Sequence, residues 1–111
     1  MTGNNQDELR VHHILDAIEV IDRHLSGVFE EDFFQNELLI NLASMQIAVI
    51  GEAMDNLSED FRKLHPHLPY RDAKDMRNYL IHEYFGVSFS ILWKTYQEDL
   101  PALKRELSGL V

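Results

Sequence analysis

Residues 77–84 read RNYLIHEY and set an arginine, a histidine and a tyrosine within eight positions. Arg77 and His82 form an R-x4-H pair whose chemistry suits a phosphodiester. Guanidinium grips phosphate oxygens in a bidentate fork, and imidazole, which titrates near neutral pH, moves protons. No metal is needed for such a pair, so the reaction class it suggests is metal-independent RNA cleavage.

The spacing alone carries little weight, because Arg62 and His67 in RKLHPH make a second R-x4-H across Pro66. In a straight helix His82 also points about 140° away from Arg77, whereas Tyr84 returns to within about 20° of it. Arg77 and His82 can converge if the arginine reaches round, if the helix end distorts near Gly86, or if two protomers complete each other's site. Dimerisation is the most economical of these. The plainer alternative is a snorkelling arginine, an interface histidine and packed tyrosines with bonded hydroxyls.

The elements that must position these residues are helical. Val11, Ile14, Leu15, Ile18, Ile21 and Leu25 recur at three- and four-residue steps, giving a first helix over about 6–26, with Asn5 as N-cap, Glu8 as its N3 partner and Gly27 as the stop. FEEDFFQNE suggests a short helical turn or an acidic connector. Residues 38–57 are apolar on most faces, with Asn41, Ser44, Gln46 and Glu52 as exceptions, and predict a buried central helix. Gly51 inside it costs about 1 kcal/mol relative to alanine, which predicts close approach of another backbone. Glu52 is expected to be a buried, hydrogen-bonded or interface acid.

Ser58 caps a short helix, Glu59 to Leu64, and two prolines in HPHLPY impose a loop. A helix over 71–85 follows, with Ala73, Met76, Tyr79, Leu80 and Tyr84 inward and Gly86 at its C′ position. Ser88 caps the next, which runs toward Pro101, and a last short helix starts there and ends at Gly109. The expected fold is all-α, an antiparallel bundle of four or five helices in one domain over 1–111.

The chain has 111 residues and no cysteine, which excludes disulfides and thiolate chemistry. No basic, apolar leader and no stretch approaching about 20 apolar residues is evident, so a soluble, cytoplasmic protein without a membrane partner is expected. The net charge of −9 argues against nucleic acid when taken whole. Its distribution argues otherwise: residues 1–60 hold 13 acids and two bases, residues 61–111 hold eight bases and six acids, and the halves carry −11 and +2. Arg62, Lys63, Arg71, Lys74 and Arg77 form a local basic patch, with Arg71 and Lys74 as candidate RNA contacts.

Glu8, His12 and Asp16 fall on one helix face but suit a solvated face better than a metal site, and no metal or cofactor is expected. His65 and His67 fit a surface loop more simply than a ligand site.

MRNYLIHEYFGV resembles the signature of the HEPN superfamily, and its R-x4-H-x-Y form is similar to the HepT-like toxin branch. The second R-x4-H has Pro69 in place of that tyrosine. IGEA at 50–53, the P-x-L-P-Y approach at 66–70 and EDLPAL at 98–103 follow in the order that branch shows, so the resemblance covers nearly the whole chain. Tyr70, Asp75 and Ser88 depart from the usual tryptophan, glycine and aspartate, and Asp75 sets an acid near the expected phosphate site.

The resemblance implies a homodimeric toxin ribonuclease in which Arg77 polarises the scissile phosphate and His82 serves as general base or acid for attack by the ribose 2′-hydroxyl, which restricts cleavage to RNA. Asn78, about 40° from His82, would support the phosphate or the imidazole. It further implies a minimal nucleotidyltransferase antitoxin, MntA-like, that transfers AMP to Tyr84. Added phosphate and adenosine beside Arg77 would then repel an RNA backbone. Alternative roles are a noncatalytic accessory or substrate-binding subunit of a nucleotidyltransferase and a structural helical adaptor.

Overall fold

A computed structural model describes residues 4–110, and among these every regular element is helical. Met1–Gly3, part of the segment read above for a leader, and Val111 lie outside them. Helix α1 (Asn5–Leu25) runs to Ser26, and Gly27 turns the chain with φ of 82°, as its C′ position requires. The N-cap is Asn4, one residue earlier than the spacing suggested. Its side chain accepts from the Asp7 amide at 2.8 Å, and Asp7 accepts from the Asn4 amide at 3.3 Å, a reciprocal capping box. Glu8, His12 and Asp16 all lie on the exposed face of α1.

The acidic connector forms α2 (Glu30–Phe33), whose Phe33 is buried with its ring centroid 5.1 Å from that of Trp93. Helix α3 (Glu37–Asp55) packs on both α1 and α5. Ser58 caps α4 (Glu59–Leu64) by accepting from the Phe61 amide, as expected. Asp7 ties the two caps together, accepting from the Ser58 amide at 2.8 Å and hydroxyl at 2.6 Å. Gly51 is where α3 meets α5 (Tyr70–His82): a Cβ there would lie 2.5 Å from the Ala73 carbonyl oxygen and 2.7 Å from Arg77 Cβ. The glycine is present because the backbones touch.

Several expectations need correction. Helix α3 is not buried all round: Leu38, Met45 and Val49 are exposed and form a stripe on one side of it. Contrary to the sequence reading, α3 is also long and apolar enough to cross a membrane by length and composition, with 19 residues and a mean hydropathy of 1.3, although it is a packed helix of the bundle.

Helix α5 stops at His82, three residues short of the expected end. Glu83 caps it, Tyr84–Gly86 form a 3-10 turn, and Gly86 has no positive φ. Tyr84 therefore points outward rather than into the core. Ser88 redirects the chain by capping the next helix, and its amide donates to the Tyr79 hydroxyl at 2.8 Å.

Pro101 does not start a separate helix. Phe89–Lys94, a π turn over Thr95–Asp99 and Leu100–Ser108 form one continuous rod, α6, ending at Gly109. Proline removes a donor and crowds the carbonyl four residues back, and the widened π turn just before Pro101 absorbs both effects. The outcome is an all-α bundle of four principal helices, α1, α3, α5 and α6, with α2 and α4 as short connectors.

Candidate active site

Arg77 lies on the third turn of α5, on the side that Gly51 allows to approach α3. Its side chain is 13% exposed and four of its five N–H groups have partners. Nη1 donates to Glu52 Oε2 at 2.6 Å and Asp55 Oδ2 at 3.1 Å, while Nε and Nη2 donate to Asn78 Oδ1 at 3.2 and 2.9 Å. Burial disfavours its charge, yet the Asp55 and Glu52 carboxylates outweigh burial and hold its pKa above the ordinary value. Arg77 stays a permanent cation, suited to an anion and not to proton transfer.

A groove of about 520 Å³ opens beside this cluster, lined by Asn41, Met45, Val49, Glu52, Arg77 and Tyr84 among others. Tyr84 thus shares a surface with Arg77, although the helix ends between them and the straight-helix angle no longer applies. Its side chain is 60% exposed, and no protein group hydrogen-bonds its hydroxyl among the described residues. His82 is exposed, does not line this groove, and has no hydrogen bond to Arg77. Because α5 is regular through His82, the two side chains leave it in different directions within one protomer. Asn78 contacts the arginine and not the imidazole, so it fixes the guanidinium plane.

The second R-x4-H is structural. Arg62 donates to the carbonyls of Leu57, Met54 and Asp55 at 3.1, 3.3 and 2.6 Å, closing the C-terminal end of α3, and lies over the Tyr70 ring. His67 faces elsewhere and pairs with Glu106 of α6 at 3.0 Å. His65 packs on the Phe61 ring.

Each base of the patch has an acidic neighbour. Lys63 faces Glu59, Arg71 faces Asp75, and Arg62, Lys74 and Arg77 converge on Asp55. Asp75 therefore sits along α5 with Arg71; the acids beside Arg77 are Glu52 and Asp55. Sequence reasoning missed that pairing. Its trace was Glu52 among apolar residues of α3, with Asp55 one turn on and Gly51 marking the helix crossing. Glu52 is also 60% exposed rather than buried.

The Ribonuclease HepT-like family matches residues 14–110. The chain belongs to that family. It is 40% identical over 97 residues to a protein of Thermococcus cleftensis named "Probable ribonuclease HepT", covering 87% of this chain and 88% of that one. It is 34% identical over 101 residues to a protein of Caldanaerobacter subterraneus subsp. tengcongensis named as a "Putative RNase", covering 91% and 90%. A third relative, from Methanocaldococcus jannaschii and named "Gamma-glutamylcyclotransferase and putative RNase", is 36% identical over 100 residues. That match covers 90% of this chain and 45% of the longer relative. No solved structure matches the chain. The HepT-like chain is thus an all-α member of a ribonuclease family, with Arg77 at the edge of its groove.

Proposed function

We propose that this HepT-like chain is the toxin ribonuclease of a cytoplasmic toxin–antitoxin pair, acting as a homodimer in which Arg77 of one protomer works with His82 of the other. The observation that carries this reading is the placement of Arg77: a fixed, permanently charged guanidinium beside a groove, in a chain of a ribonuclease family. Arg77 and His82 diverge within one protomer, which favours a site completed by a second copy. The exposed stripe of Leu38, Met45 and Val49, with exposed Ile81 lining the same groove as Met45 and Val49, supplies an apolar face for that copy.

In the proposed reaction His82 removes the proton from the ribose 2′-hydroxyl, and the 2′-oxygen bonds to phosphorus as the P–O5′ bond breaks. A proton returns to the leaving 5′-oxygen, leaving a 2′,3′-cyclic phosphate and a 5′-hydroxyl. Arg77 balances charge on the phosphoryl oxygens, and Asn78 holds its plane. Arg71 and Lys74, exposed on α5, would guide the RNA backbone.

The off switch is AMP transfer to Tyr84 by a minimal nucleotidyltransferase. The tyrosine oxygen attacks the α-phosphorus of ATP, pyrophosphate leaves, and the phenolic proton passes to a base of the partner. The exposed hydroxyl on the groove supports this assignment. Incubation with the partner and ATP, followed by mass mapping, checks it: AMP at Tyr84 is expected, and AMP still added to Tyr84→Phe excludes it.

The second reading, a noncatalytic nucleotidyltransferase subunit, draws on the engagement of four Arg77 N–H groups by the protein itself. Cleavage of RNA by the purified wild type, abolished in Arg77→Ala and His82→Ala, decides for the ribonuclease. RNA left intact by wild type decides against it.

A further inference from the structure

Arg77 has one N–H of five without a protein partner, so a phosphate cannot take it bidentately unless an existing partner leaves. The partners differ in how firmly they are held. Asp55 is 27% exposed and also has Arg62 at 3.7 Å and Lys74 at 3.8 Å, so displacing it would leave three bases without their common acid. Asn78 shares the helix with Arg77 and offers a neutral oxygen to two of its N–H groups.

Glu52 is the outlying partner, 60% exposed at the groove edge. It is nevertheless held at both oxygens: Oε2 accepts from Arg77, and Oε1 accepts from Asn56 Nδ2 at 3.0 Å. Asn56 and Glu52 are both exposed, and the Arg77 contact is open on its Glu52 side, where a competing anion reaches it.

We propose that Glu52 is an anionic placeholder for substrate, occupying the Nη1 position that a phosphate oxygen takes on binding, so that RNA enters by exchanging one anion for another at Arg77. Asp55 stays and keeps the guanidinium in place during the exchange. Glu52 is thus a specificity and positioning residue: it weakens binding of any lone phosphate and holds the empty site in its working geometry. The proposal rests on the reading of Arg77 as the phosphate clamp.

The test compares wild type, Glu52→Gln, Arg77→Ala and the double variant, titrated with inorganic phosphate and with a 2′-O-methyl RNA oligonucleotide that cannot be cleaved. The Gly51 amide resonance beside the site serves as reporter. Glu59→Gln, which removes an exposed acid paired with Lys63, controls for a general change of charge. Glu52→Gln is expected to tighten both probes at least about threefold, with no gain in the Arg77→Ala background and none from Glu59→Gln.

Unchanged or weaker binding by Glu52→Gln, or an equal gain from Glu59→Gln or without Arg77, overturns the placeholder. Tighter phosphate binding in Glu52→Gln, together with wild type that cleaves no RNA, keeps the placeholder and removes the ribonuclease reading instead. Cleavage by wild type with no gain from Glu52→Gln does the reverse.

Discussion

Gly51 and Arg77 stand in direct contact, such that a Cβ at residue 51 would lie 2.7 Å from Arg77 Cβ. Glycine to alanine within a helix normally stabilises by about 1 kcal/mol. Here the added methyl also meets the Ala73 carbonyl at 2.5 Å, a backbone atom that moves only with its helix. Gly51→Ala is therefore expected to destabilise by about 1–3 kcal/mol and to displace Arg77 from Glu52 and Asp55. Thermal unfolding read with RNA cleavage checks this: cleavage should fall even where the variant is folded, and a more stable, fully active variant contradicts it.

Arg62 and Arg77 make the same formal motif with opposite consequences. Arg62→Ala removes the side-chain donor to the Asp55 and Leu57 carbonyls, while the Met54 carbonyl keeps the Leu57 amide, costing about 1–3 kcal/mol, and cleavage per folded molecule persists. Denaturant unfolding and a cleavage assay on the same preparation separate the two residues. Loss of cleavage in folded Arg62→Ala would place the active arginine wrongly.

Asp7 joins the caps of α1 and α4. Burial raises its pKa, but hydrogen bonds from Ser58 and Asn4, with Arg10 nearby, prevail and hold it below the usual carboxylate value. A depressed folded pKa contributes stability that is full above the unfolded value of about 3.9 and disappears as pH falls through the lower folded value. Asp7→Asn should cost about 1–3 kcal/mol near neutral pH and flatten the acid limb of the stability profile. Parallel wild-type and variant profiles through the acid range would refute this.

The stripe on α3 gives a prediction about assembly. Met45→Glu places a charge in the proposed apolar face at a position 67% exposed, so the isolated fold should hold its Tm within a few degrees. Sedimentation should then report a monomer and cleavage should be lost. A dimer that survives Met45→Glu, Leu38→Glu and Val49→Glu locates the interface elsewhere.

How much of this was legible in the sequence differs between local and long-range features. Ser58, Gly27 and Gly51 were readable because a cap, a turn and a close approach each demand a residue type. The end of α5 was not, since 83–85 carry no breaker and Gly86 offered a plausible stop. Nor was the π turn, because Pro101 fits a first turn and a tolerated mid-rod position equally well. The site itself was half legible. Arg77, His82 and Tyr84 lie close in sequence, but Glu52 and Asp55 reach Arg77 across more than 20 intervening residues, where no local period links them.

In the proposed mechanism Arg77 and His82 act together from two protomers. The direct measurement is RNA cleavage by Arg77→Ala and His82→Ala, each alone and as a co-expressed mixture. A mixed dimer keeps one intact site, so the single variants should be inactive and a random mixture should recover about a quarter of wild-type activity. Wild-type activity in either single variant, or a mixture as inactive as its components, contradicts this mechanism.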